Sequence, residues 1–189
     1  MNKYNFKICL IGDEGVGKLA IVEQLVDRKF YHEIRPIKDI DESFFVKKYD
    51  EIDLFIFHFH YEIPLMKYNL TNVTVRKLRG LFGLLFVYDI TSQKSFENLE
   101  KYIRLYQIVA NLEKQKITKI LIACKSDLEE KRVVLEEIAR GFAFDHDIDI
   151  FIECSAKNGK NIEEIFHSLI LKIKQLNKGL FISEEREKI

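Results

Sequence analysis

Seven residues near the amino terminus, Gly12-Asp13-Glu14-Gly15-Val16-Gly17-Lys18, have types and spacing that suit phosphate chemistry. The glycines permit backbone conformations that turn successive N–H groups inward. With the amino terminus of a following helix, those groups make an anion cradle. Lys18 adds a point charge for the outer phosphates. A strand-like run precedes the loop and a helical pattern follows it, which separates the motif from an ordinary glycine-rich turn. The phosphate-binding set expected here is Glu14, Gly15, Val16, Gly17, Lys18, Leu19 and Ala20. One position departs. The motif calls for Ser or Thr after the Lys, because that hydroxyl coordinates Mg²⁺, and the chain has Leu19. The cradle is kept without its metal hook.

Two more segments stand after strand-like runs: Cys124-Lys125-Ser126-Asp127 and Glu153-Cys154-Ser155-Ala156-Lys157. Ligands of open α/β sheets bind at such carboxyl ends. The two segments resemble the Asn-Lys-x-Asp and Ser-Ala-Lys guanine-recognition motifs of Ras-superfamily GTPases. The resemblance implies a guanine pocket of Lys125, Asp127, Ser155, Ala156 and Lys157, with Phe30 where the family places an aromatic over the base. A carboxylate such as Asp127 can accept from the ring N–H and exocyclic amine of guanine together, and adenine offers no such pair. The Ala156 N–H can reach the guanine oxygen, and the Lys125 stem can lie along the base. A solvated loop pair at Lys125 and Asp127, and a core role for Phe30, are the plain alternatives. Cys124 replaces the family's Asn, which ties base pocket to phosphate loop.

The resemblance runs over residues 5–176. Residues 79–91, continued by Gln93, Ser95 and Phe96, are similar to the Rab pattern, so Rab-like proteins are a better model than Ras itself. The departures cluster. Ile37 stands where the first switch carries a Thr for Mg²⁺ and the γ-phosphate. His58, Tyr61 and Glu62 stand where the family has the metal-supporting Asp, the γ-phosphate-sensing Gly and the water-orienting Gln. Residues 63–78 run about five residues longer than that template. His58 and His60 alternate along a strand and could share a face, but Phe55, Phe57 and Phe59 surround them and no third ligand is evident. The expected ligand is therefore GTP or GDP, with Mg²⁺ in doubt at Leu19, Ile37 and His58 and no metal site assigned.

The elements needed to position these loops follow from the apolar pattern. Runs that read as strands alternate with helical patterns, the mark of an α/β fold with a mainly parallel sheet. Strands are expected at 6–11, 43–48, 52–60, 83–88, 119–123 and 148–152, the second and third joined as an antiparallel hairpin. Helices are expected at 18–28, at 95–112 with Ser95 as cap, at 135–144, and from about Asn161. The last carries Ile162, Ile165, Phe166, Leu169, Ile170 and Ile173 at helical spacing. The expected fold is that of a P-loop NTPase of the small G protein type. It has six strands, mostly parallel with one antiparallel edge, and helices on both faces. Residues 1–178 are expected to form the domain and 179–189 a polar tail.

Composition narrows the partners. Lys+Arg and Asp+Glu are both 30, with no dense basic cluster, so nothing points to nucleic acid or acidic lipid. Three scattered cysteines, Cys9, Cys124 and Cys154, imply neither a disulfide framework nor a zinc site. The sequons at Asn69 and Asn72 follow no signal peptide and read as chance. The last cysteine is Cys154 and Gly does not follow Met1, so no direct lipid anchor is expected. These features lead to the expectation of a cytoplasmic monomer with an effector or regulator at 30–42 and 61–79. Three readings stay open: a guanine-nucleotide-binding module with weak or absent hydrolysis, a GTPase whose catalytic parts a partner completes, and a scaffold that binds no nucleotide.

Overall fold

The computed structural model describes residues 4–27, 44–49, 51–58, 78–110 and 116–181. The expected roles of Phe30, Ile37, His60, Tyr61 and Glu62 lie outside these residues. His58 closes a strand.

Six strands form one sheet: β1 (Tyr4–Ile11), β2 (Phe44–Tyr49), β3 (Ile52–His58), β4 (Leu81–Asp89), β5 (Thr118–Cys124) and β6 (Ile150–Glu153). Their order is β2-β3-β1-β4-β5-β6, and only the edge strand β2 runs antiparallel to its neighbour. The helices are α1 (Lys18–Asp27), α2 (Gln93–Glu97), α3 (Leu99–Ala110), α4 (Glu136–Asp145), α5 (Ile162–Leu176) and α6 (Lys178–Phe181). This is the expected fold.

β1 shows why the core has two layers. Side chains alternate across a strand, so Ile8 and Leu10 enter one apolar layer while Cys9 and Ile11 enter the other. The first layer also holds Ile21, Val22 and Leu25 of α1 and the full apolar stripe of α5. The second holds Leu99, Tyr102 and Leu105 of α3 and Ala139 of α4. Covered on both faces, β4 is buried at every position but Phe82, as expected of a central parallel strand. Truncating a fully buried ring such as Phe166 to alanine costs about 3–5 kcal/mol.

The 95–112 helix differs from expectation. It is two helices, α2 and α3, broken at Asn98. Its cap is Ser92, whose Oγ accepts from the Ser95 N–H at 3.2 Å. Ser95 is one turn inside and buried, its Oγ donating to Ser92 O and accepting from the Asp89 N–H. Pairing also extends the strands beyond the expected bounds, to Leu81 in β4 and Thr118 in β5. The chain continues past 178 into α6, where Phe181 packs against Tyr4 and Phe6. Among the described residues no helix is long and apolar enough to cross a membrane.

Topology decides where the loops meet. β1 lies between β3 and β4, and the connection after it leads to one side of the sheet while later strands are added on the other. A crevice opens at such a switch point, at the carboxyl ends of the strands. The loops after β1, β5 and β6 share that edge.

Candidate functional site

The loop after β1 packs closely against the rest of the fold. A Cβ at Gly12 would overlap Val87 O, so only glycine lets the chain leave β1 beside β4. Gly17 has φ +111°, and a Cβ there would stand 2.7 Å from Cys124 Sγ. The two loops therefore touch through backbone and sulfur. Val16 and Lys18 are buried, Gly17, Leu19 and Ala20 are half-buried, and Glu14 and Gly15 are exposed.

Lys18 opens α1. Its ammonium donates to Gly12 O at 2.8 Å and Asp13 O at 2.5 Å. These two bonds use two of its three donors and hold the charge inside the loop. Burial pushes its pKa down to about 8, against the opposing pull of Asp13. A bound phosphate would supply negative charge where this cation is short of solvent.

Asp13 anchors the loop from behind. One carboxylate oxygen accepts from Asn98 Nδ2 at 2.6 Å. The other accepts from Tyr102 OH at 2.8 Å and pairs with Lys101 Nζ at 3.1 Å. Burial pulls the Asp13 pKa up, but the bonds from Asn98, Tyr102 and Lys101 outweigh it and hold the carboxyl below its usual range. Nothing in the sequence pattern singles out Asn98, Lys101 or Tyr102. Asn98 and Tyr102 stand four apart, which puts them on one helix face, but nothing in that spacing points to a loop 85 residues away.

The guanine-motif residues gather at the ends of β5 and β6. Lys125 has φ +65°, and its Nζ lies 2.6 Å from Asp89 Oδ2. Asp89 in turn accepts from the Thr91 N–H and hydroxyl, both at 2.8 Å. Ser155 Oγ donates to Asp127 Oδ1 at 2.6 Å, and Lys157 Nζ stands 3.8 Å from Asp127 Oδ2. These contacts orient a half-exposed carboxylate beside the buried Ser155 and Ala156. Arg132 braces the pair of loops. It bonds Glu129 after the first motif and Glu153 before the second, twice each at 2.7–2.9 Å.

Leu19 beside Lys18 offers no side-chain oxygen, and Asp13 is committed to Asn98, Tyr102 and Lys101. Among the described residues no three His, Cys, Asp or Glu side chains gather as a metal site.

The family model described as the Ras family matches residues 7–175. The chain is 35% identical over 174 residues to the Ras-related protein Rab-10 of Diplobatis ommata, covering 87% of this chain and 78% of that protein. It is 33% identical over 164 residues to the Ras-related protein Rab-13 of Mesocricetus auratus, covering 87% and 77%. The GTP-binding protein YPTM2 of Zea mays is 31% identical over 175 residues, covering 90% and 81%.

Proposed function

The chain belongs to the Ras family and is a Rab-like small GTPase, and from that footing we propose that it binds GDP and GTP as a binding module or switch, with weak or absent hydrolysis of its own. The observation that carries this reading is the contrast between Lys18, held inside a complete cradle, and Leu19 beside it. Gly12–Lys18 would hold the phosphates, with inward amides and the Lys18 charge. Asp127, oriented by Ser155, would accept from the guanine edge, and Ala156 and Lys125 would complete the pocket. Phosphoryl transfer on this fold is mostly positioning and charge neutralisation. Leu19, Ile37, His58, Tyr61 and Glu62 all fall on the metal, the γ-phosphate or the attacking water, and leave cradle and base pocket alone.

Calorimetric titration with GDP and GTP, with and without Mg²⁺, tests it. The expected result is binding of both nucleotides with little Mg²⁺ dependence. A strong dependence counts against the reading, and no binding at all leaves a scaffold that uses the fold alone. A second reading is supported by the ordered base pocket: a GTPase whose Arg or Gln comes from a partner at the switch surface. Single-turnover hydrolysis with candidate activators decides between the two. Cytoplasmic location and a monomeric state are part of the same proposal.

A further inference from the structure

Two thiols face each other beneath the phosphate loop. The Cys154 N–H donates to Ala123 O at 2.8 Å and the Ser126 N–H to Cys154 O at 3.0 Å. The first bond belongs to the last parallel pair, Ala123–Glu153, and the second departs from that register. Cys124 and Cys154 are the next residues of the two chains, and residues side by side in a parallel pair share a face. Both enter the apolar layer that also holds Val16 and Ala156, both are buried, and neither is bridged. Each thiol is the other's main electrostatic neighbour. Neighbouring strands stand about 4.8 Å apart, within the Cα separation that a disulfide spans. Cys9 lies in the other layer and has no such partner among the cysteines.

We propose that Cys124 and Cys154 form an oxidisable dithiol, a modification site for hydroperoxides, whose disulfide loosens the phosphate loop. Roles are divided between the two thiols. Cys154 beside it holds the Cys124 thiol below its ordinary pKa against burial, with Lys125 assisting, and Cys154 is pushed up. Cys124, the sulfur that packs under Gly17, is the thiol that attacks, and its proton leaves with the departing oxygen. It takes one oxygen of the hydroperoxide, the O–O bond breaks, and the other oxygen leaves as alcohol or water. The sulfenic acid so formed is attacked by Cys154. The S–S bond forms, the S–O bond breaks, and the hydroxyl leaves with the Cys154 proton as water. Two thiols and one hydroperoxide become one disulfide, one water and one alcohol or second water.

The consequence for the loop follows from Gly17. It rests so closely on Cys124 Sγ that not even a methyl fits between them. Drawing that sulfur to bonding distance from Cys154, about 2.05 Å, removes the support under the residue that precedes Lys18. The dithiol itself depends only on β5, β6 and Gly17. Its effect on a guanine nucleotide rests on the function proposed above.

The test uses the full chain, treated with hydrogen peroxide near neutral pH, denatured, alkylated and mapped by mass spectrometry. The expected result is a cross-link between the Cys124 and Cys154 peptides with two hydrogens lost, while Cys9 is alkylated. The C9S variant should still cross-link and C154S should not. Amide exchange over residues 12–18 should rise about tenfold on oxidation and return with dithiothreitol. Alkylation of both Cys124 and Cys154 at peroxide doses that oxidise free glutathione overturns the proposal. A cross-link with unchanged amide exchange overturns its effect on the loop. Affinity for a fluorescent GDP should fall with the same reversibility. A chain that binds no GDP in either redox form counts against the nucleotide reading, and leaves the cross-link and exchange results to decide the dithiol.

Discussion

The phosphate loop and the guanine loops are held in opposite ways. The phosphate loop depends on close packing and burial: Gly12 against Val87, Gly17 against Cys124, and a lysine 5% exposed. The guanine-motif loops depend on polar links that each have at least one partly exposed partner: Lys125 to the buried Asp89, the buried Ser155 to Asp127, Arg132 to Glu129 and Glu153. Packing tolerates no added atom, and a desolvated charge titrates in an accessible range. Links near solvent are individually weaker, because water competes for their groups. The first region should therefore fail through size and pH. The second should fail through loss of specific hydrogen-bond partners.

The largest effect is expected at Gly17. Gly17→Ala places a methyl on Cys124 Sγ at φ +111°, and overpacking together with an unfavourable φ should cost about 2–4 kcal/mol. Chemical denaturation measures it, and Gly15→Ala is the control for φ alone, since a Cβ there meets nothing within 4 Å. Equal losses at the two positions would remove close packing from the comparison. Lys18→Ala should lower GDP affinity by about 100-fold, through loss of a charge-assisted contact. Asp127→Ala should lower it about 10- to 100-fold and abolish preference over adenine nucleotide, read by competition with ADP.

The pH response should separate the regions more finely. Lys18 has a folded pKa of about 8 and an ordinary value of 10.5. Between those values the unfolded chain binds more protons than the folded one, so the Lys18 contribution to stability rises with pH through that window. The gain is at most about 3 kcal/mol. Nucleotide affinity should move the other way, falling as Lys18 loses its proton above pH 8. Denaturation and calorimetry at pH 7, 8 and 9 give both slopes. Slopes of the same sign would mean that Lys18 does not control the phosphate side. The smallest effect is expected at Tyr102→Phe, which removes one of three partners of Asp13 and should cost about 1 kcal/mol of stability. The Ser155–Asp127 contact should be unaffected.

The candidate loops were legible as loops at strand ends because local rules produce them. Glycine at positions 12, 15 and 17, a lysine before a helix, and short polar segments after apolar strands are all patterns of neighbouring residues. The contacts that hold those loops were not legible. Ser95 looked like a cap because it precedes an amphipathic run, but Ser92 has the extended φ and ψ that a cap needs. The single helix became two because Asn98 breaks it and gives its side chain to Asp13.

The sequence by itself determined the residue types at the candidate site: glycines and a lysine between a strand and a helix, a carboxylate at Asp127, and a hydrocarbon at position 19. Strand periodicity also determined the fold, because a buried parallel sheet requires runs that are apolar on both faces. Tertiary structure alone decided which groups orient those residues. Asp89 reaches Lys125 across β4 and β5, Tyr102 reaches Asp13 across 89 residues, and Cys124 lies between Gly17 and Cys154. Such pairings depend on strand order and register, and residue spacing along the chain does not record them.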